Sequence, residues 1–311
     1  MTATIEMGNT VSVLKADADV LRIVRHHVAM RVQKMPPIEA QKIIKGFFHK
    51  RRRYGTYSDL NALCQDSETA EAISATGIDP HSITGSELEA VLRQRGVWDG
   101  WKRMVERDGS FPTGLIDHVQ RALTLRAGKE AAKVTDNRGE APRGQPQPLP
   151  SLYGYQREAV DAWLKAGRGV IDLPPRAGKT RIAVAAIASL GLPTLYVVPG
   201  VGLAKQTTAV FREHGLDAVQ VTGGRLSAKK SRAVSRAQVW VATPQTAAKI
   251  PGVGGRQVLV LDEFHHAAAT TWKAVSRAAS GAWWRLGLTG THYRADGKDM
   301  EMLGVLARSV Y

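Results

Sequence analysis

The run "VIDLPPRAGKTRIAVAAI", beginning at Val170, places Gly178-Lys179-Thr180 between an apolar strand and a helix. Amides at a helix start, helped by the helix dipole, hold a phosphate without needing a particular side chain. Lys179 would reach the β- and γ-phosphates of a triphosphate, and the Thr180 hydroxyl would ligate Mg²⁺. Gly178 lets the backbone approach closely, and Arg176 and Ala177 complete the loop. The strict phosphate-loop pattern asks for glycine where Leu173 stands. An incidental Gly-Lys-Thr in a strand–turn–helix would read the same way, so a partner motif has to decide. "QVLVLDEFHH" supplies one, with Asp262-Glu263 at the end of an apolar run. One carboxylate there can hold Mg²⁺ while its neighbour orients an attacking water, as phosphoryl transfer requires. Taken alone, these could be two solvated acids after an edge strand. Together, the two motifs point to ATP and Mg²⁺.

Both motifs need a scaffold that brings strand ends to one place. Short apolar runs predict strands over Gly169–Leu173, Thr194–Val198, Ala218–Val221, Val239–Ala242, Val258–Leu261 and Arg285–Leu288. Amphipathic stretches predict helices over Lys179–Leu190 and Leu203–His214. This alternation indicates an α/β fold, a parallel sheet flanked by helices on both faces. Ligands of such sheets bind at the carboxyl ends of the strands. Gly178-Lys179-Thr180, Asp262-Glu263 and Thr289-Gly290-Thr291 each directly follow a predicted strand.

The first half reads as a smaller mixed α/β domain. "TIEMGNTVSVL" suits a hairpin turning at Gly8-Asn9. Asp17 can cap a helix running to about Gln33. "PPIEAQKIIKGFFHKRRR" and "GSELEAVLRQRG" read as further helices, one started by proline and one capped by serine. Residues 127–150 are rich in Pro, Gly, Gln and charge, and their latter part reads as a linker. The expected organisation is therefore an accessory domain over 1–126, a linker over 127–150 and a second domain over 151–311.

The chain has 311 residues and a formal net charge of +15. Residues 151–311 carry 21 Lys and Arg against 10 Asp and Glu, whereas residues 1–150 carry 22 against 18. The excess thus lies with the Gly-Lys-Thr half, and nucleic acid is the commonest polyanion for such a surface. The one cysteine cannot form an internal disulfide. No run of 18 apolar residues and no signal-peptide pattern is present. A cytoplasmic location with no membrane partner is expected.

At this point the chain resembles superfamily 2 helicases and translocases, over about Leu152 to Leu306. "LYGYQREAVDAWL" resembles the motif whose glutamine contacts adenine, which would be Gln156. "LPPRAGKT" resembles motif I, and "TLYVVPGVGLAKQTTAVF" motif Ia. "VWVATPQTAAK" resembles the strand and Thr-Pro element that touches the nucleic-acid backbone, here Thr243 and Pro244. "LDEFHHAAATTW" is a DExH form of motif II, in which His265 would couple the ATP site to motif III. "RLGLTGTHYRADGKDMEMLGVL" resembles motif III, with Thr289 and Thr291 as the coupling residues. Upstream, Trp98-Asp99-Gly100 and Phe111-Pro112-Thr113-Gly114-Leu115 resemble the end of the N-terminal domain of UvsW-like recombination and repair helicases. The resemblance implies ATP hydrolysis driven by Lys179, Asp262 and Glu263, and DNA, duplex or branched, as partner.

Departures from the family pattern qualify the site. Arg176 replaces a usual loop glycine, which is tolerable provided its φ stays negative, and it would add a positive charge beside the phosphates. His292 replaces the proline common in motif III. Family members carry motifs IV to VI and an arginine finger on a second RecA-like domain, about 150 residues by domain size. That domain is expected beyond Tyr311 or in another chain. Such a finger is worth roughly 10³–10⁵ in rate, so this chain is expected to bind ATP and hydrolyse it poorly by itself. A catalytically idle DNA-binding adaptor and the motor subunit of a restriction-type nuclease are the alternatives. Candidate DNA contacts are Arg225, Lys229 and Lys230 in a basic stretch, and Lys50, Arg51, Arg52 and Arg53; a solvated loop and a basic helix end account for them equally well.

Overall fold

The computed structural model describes residues 3–31, 101–221, 234–263, 270–290, 303–307 and 310–311. Two compact units emerge: Met1–Val28 with Arg103–Tyr311, and Ala29–Lys102. The expected helices after Pro36 and Ser86, the Lys50–Arg53 run, Arg225, Lys229, Lys230, His265, Thr291 and His292 lie outside the described residues.

The first unit begins with the expected hairpin. Strands β1 (Thr4–Met7) and β2 (Val11–Lys15) pair antiparallel, with Thr4 opposite Lys15. Helix α1 (Ala18–His27) follows, and the Asp17 carboxylate accepts the Val20 amide at 3.0 Å, a side-chain N-cap. This helix is shorter than the expected run to Gln33. Its Val28 amide closes on Val24, and the chain then enters β3 (Ala29–Arg31). Strand β3 pairs with β4 (Trp101–Arg103). That distant strand captures residues whose local sequence suits a helix. Strand β5 (Ser110–Pro112), helix α2 (Ile116–Arg126) and β6 (Lys133–Asp136) complete a mixed sheet in the order β5-β2-β1-β6. Val20 and Val24 of α1, and Val119 and Leu123 of α2, are buried one turn apart on their helices.

After helix α3 (Gly154–Ala166) comes a six-stranded parallel sheet. Its strands are β7 (Arg168–Asp172), β8 (Thr194–Val197), β9 (Ala218–Val221), β10 (Val239–Ala242), β11 (Val258–Leu261) and β12 (Trp284–Thr289). The order is β7-β12-β11-β8-β10-β9. All six expected strands form, with ends shifted by one residue at most. Helix α4 (Lys179–Leu190) matches its expected bounds, and α5 (Val201–Glu213) starts two residues early. Alternate strand residues feed two cores. Tyr196, Val258 and Val260 pack on one face, and Leu195, Val197, Leu259 and Leu261 on the other. Eight residues of α4 are buried, which explains why its apolar positions run all round it.

Residues 133–147 are bonded to both sheets. Strand β6 pairs parallel with β1, and the Asn137 amide donates to Met7. The Arg138 guanidinium lies 4.2 Å from the Trp283 ring centre, and the indoles of Trp283 and Trp284 donate to the Gly139 and Pro142 carbonyls. The Gly144 and Gln147 amides donate to Leu190 and Ala188 at the end of α4. A stretch whose composition suggests an unattached chain therefore finds most of its partners at the base of the sheet. Tertiary hydrogen bonds, absent from local composition, hold it there.

Candidate nucleotide-binding site

The strand order places the ends of β7, β12 and β11 side by side, so the three polar motifs share one edge. The loop from β7 enters α4 through Gly178, whose φ is +74°. A side chain at Gly178 would be strained by this backbone, and its Cβ would lie 2.5 Å from the Gln156 amide nitrogen. The Arg181 and Ile182 amides donate to the Gly178 carbonyl. Those of Lys179 and Thr180 open the helix with no intrahelical acceptor, which is the arrangement that suits an anion. Lys179 donates from Nζ to Leu173 O at 3.0 Å and Pro174 O at 3.2 Å. Leu173 thus serves through its carbonyl, whatever its side chain.

Gly290, after β12, closes over the lysine. A Cβ at Gly290 would sit 3.0 Å from Lys179 Nζ and 3.1 Å from Leu173 O. Thr289 is buried, and its carbonyl accepts the Leu173 amide. Asp262, after β11, is 8 % exposed. Burial pushes its carboxyl above the usual range, while the Tyr196 hydroxyl, the Glu263 amide and the nearby Lys179 charge pull it back. Oδ2 accepts Tyr196 OH at 3.0 Å, and Oδ1 accepts the Glu263 amide at 3.0 Å. Burial first, and the Asp262 charge second, drive the Tyr196 hydroxyl well above its ordinary pKa, so it remains a donor. Sequence reasoning missed Tyr196. The available signal was a phenol in the middle of a buried strand, whose hydroxyl must find a partner.

Gln156 is 1 % exposed. Its Oε1 accepts the Tyr153 amide at 3.1 Å, and its Nε2 donates to Ala177 O at 3.0 Å. Tyr155 OH donates to the same carbonyl at 3.0 Å. The start of α3 is thereby tied to the loop between β7 and α4. Thr243 caps the short helix α6 (Pro244–Ala247) through its backbone carbonyl, at the end of β10 on the same edge.

The expectation for Arg176 is overturned. Its φ is +67°, and Glu263 has φ +52°; among the described residues they are the two non-glycine residues in the left-handed region. The reason for Arg176 is a four-residue turn. The Ala177 amide donates to Pro174 O at 3.3 Å, with Pro175 and Arg176 at the centre. Proline at the second position and positive φ at the third describe a type II turn, which ordinarily takes glycine there. The left-handed backbone costs about 1–2 kcal/mol, and glycine's extra chain entropy about 0.5–1 kcal/mol. Relief wins, so Arg176→Gly is expected to stabilise the chain by about 0.5–1 kcal/mol. Thermal melting should show a rise of about 1–3 °C; a lower melting temperature would contradict the strain.

Among the described residues, no three His, Cys, Asp or Glu side chains group to cage a metal. A single carboxylate at the strand end suits Mg²⁺, which keeps waters and takes other ligands from phosphates. The site and a large cavity do not coincide. A cavity of about 710 Å³, lined by Pro193, Gln238, Trp240 and Arg256 among others, opens near the starts of strands β8, β10 and β11. Its lining carries none of the Lys, Asp and Gly convergence found at the opposite strand ends.

The crystal structure of the UvsW helicase from bacteriophage T4 matches with a TM-score of 0.67 at 14 % identity, covering 99 % of both chains. A family profile described as "Type III restriction enzyme, res subunit" matches residues 149–294. The chain shares the fold of the T4 UvsW helicase. A second T4 UvsW structure matches with a TM-score of 0.65 at 16 % identity, covering 99 % of this chain and 56 % of that one. The chain thus spans a little over half of that longer UvsW structure. No curated protein sequence matches it significantly. In this UvsW-like fold the six-stranded parallel sheet carries the Lys179, Asp262 and Gly290 edge, and the mixed sheet precedes it. No helix among the described residues is long and apolar enough to cross a membrane.

Proposed function

We propose that the chain is the ATP-binding portion of a DNA helicase or branch-migrating translocase acting in recombination, repair or replication. The observation that supports this best is the meeting of the Lys179 ammonium, the Asp262 carboxylate and Gly290 at one sheet edge. The amides of Lys179 and Thr180 would bind the phosphates, and Lys179 would leave the loop carbonyls for the β- and γ-oxygens. Arg176, exposed on the loop, would add positive charge beside them. Gln156 and the Ala177 region would border the adenine. Thr180 and Asp262 would hold Mg²⁺, which when bound neutralises charge on the phosphate oxygens. Glu263 would orient the attacking water. His265, Thr289 and Thr291 would relay nucleotide state toward DNA held near Thr243 and Pro244, with Arg225, Lys229, Lys230 and Lys50 to Arg53 as further backbone contacts. Residues 1–126 would form the accessory DNA-binding part, joined through 127–150 to the motor over 151–311.

The test is DNA-stimulated ATP hydrolysis by the full-length protein. Branched or duplex DNA should raise turnover at least tenfold. Tight ATP binding with no turnover would instead favour the idle adaptor, a reading that the left-handed Arg176 keeps in play. The family profile names a restriction-enzyme subunit, and ATP-dependent cleavage of the DNA would favour that reading. Affinity for DNA should also fall steeply with salt, with a log–log slope of roughly −0.9 per phosphate contact. A flat response would remove the electrostatic argument drawn from the basic half.

A further inference from the structure

We propose that Tyr196 is a positioning residue that aims the Asp262 carboxylate at the bound cation. This deepens the nucleotide-site reading and rests on it. Tyr196 lies on β8, opposite Val260 of the neighbouring strand β11. Side chains two apart on a strand share a face. Asp262 follows Val260 by two, so Tyr196 and Asp262 project to the same side, one step apart along the sheet. The Asp262 amide donates to Val197 O at 2.9 Å, continuing the β11–β8 ladder past the last strand residue and fixing the aspartate backbone.

The side chain is fixed as firmly. Tyr196 is fully buried, and its ring meets Phe211 of α5 edge to face, with centroids 4.9 Å apart and planes at 87°. Full burial on a strand paired on both sides keeps the ring in place even beyond this contact, so its hydroxyl is a stationary donor. It engages Oδ2 at 3.0 Å while the Glu263 amide engages Oδ1 at 3.0 Å. Two donors from different elements therefore set the plane of the carboxylate. Each oxygen keeps a further lone pair for water or a metal. The donor on Oδ1 belongs to the residue with the strained φ of +52°. The tyrosine on Oδ2 adds no such strain. A carboxylate without this second donor would rotate about its last bond and would have to be ordered when the cation binds, which lowers affinity for metal more than for nucleotide.

The experiment is a titration of Mg²⁺ against a fluorescent ATP analogue, read as binding and thus independent of turnover. Tyr196→Phe removes one oxygen and keeps the ring. The half-saturating Mg²⁺ concentration should rise about five- to tenfold, while analogue affinity in EDTA stays within twofold of the unmodified chain. An unchanged half-saturation, or an equal loss of affinity with and without metal, would overturn the proposal. Phe211→Leu is the packing control, because it removes one contact of the ring and leaves the strand pairing on both sides of Tyr196 and the hydroxyl in place. It should lower the melting temperature and leave half-saturation within twofold; a rise matching that of Tyr196→Phe would reduce Tyr196 to a core residue. Asp262→Asn separates this inference from the reading beneath it. If that change leaves Mg²⁺ dependence intact, the metal assignment itself fails and Tyr196 loses its role with it. If Asp262→Asn abolishes the dependence and Tyr196→Phe does not alter it, the site stands and the positioning role alone is wrong.

Discussion

Lys179→Ala is expected to weaken ATP binding by about 10- to 100-fold, as loss of hydrogen bonds to a charged group worth roughly 1.5–3 kcal/mol implies. Turnover should fall further, by about 10²–10³, because the ammonium also meets charge that grows on the transferred phosphoryl group. The fold should survive. Lys179 is only half-buried and bonds the carbonyls of Leu173 and Pro174, which remain available to water. Its backbone begins α4, and alanine is a good helix former. Equilibrium binding of labelled ATP and steady-state hydrolysis by the full-length protein measure the two losses. Hydrolysis at the unmodified rate would remove Lys179 from the site.

Glu263→Gln is expected to keep ATP bound and lower turnover by about 10²–10⁴, the usual range for removing a positioned base. The substitution preserves size and leaves the backbone with a non-glycine residue at φ +52°, so the Asp262–Glu263 turn should hold. Single-turnover experiments distinguish retained binding from lost cleavage. Turnover like that of the unmodified protein would assign the attacking water to another residue. Comparison with Lys179→Ala is informative because the two changes separate: one removes binding, the other traps the bound state.

The strained backbones of Arg176 and Glu263 frame the same loop edge. Strain of this kind persists only where surrounding contacts over-determine it, and it concentrates at working sites. Glu263 carries its amide to Asp262 Oδ1, so that strain purchases an oriented carboxylate. At Arg176 the turn closed by Pro174 and Ala177 dictates the conformation. The turn was legible in hindsight, since Pro175 favours the second position of a type II turn. Reading Arg176 as a substituted loop glycine, without asking which turn the two prolines set, gave the wrong sign of φ.

Local sequence alone determined the six strands of the parallel sheet, helices α4 and α5, the β1–β2 hairpin and the identity of the charged residues. The periods are short-range: alternating or continuous apolar runs of four to six residues, a Gly before Lys179, an Asp before Ala18. These features act within a few residues, so they survive whatever the rest of the chain does. The tertiary structure decided which ends meet. The adjacency of β7, β12 and β11 brings Gly290 against Lys179 and sets Asp262 within reach of its charge. Only the pairing of β8 with β11 gives the Tyr196 hydroxyl its carboxylate. The stretch at 133–147 is ordered for the same reason, by carbonyls and indoles far away in the chain. Hydrogen bonds and close contacts across many residues depend on strand order, and strand order is a property of the assembled sheet rather than of any segment within it.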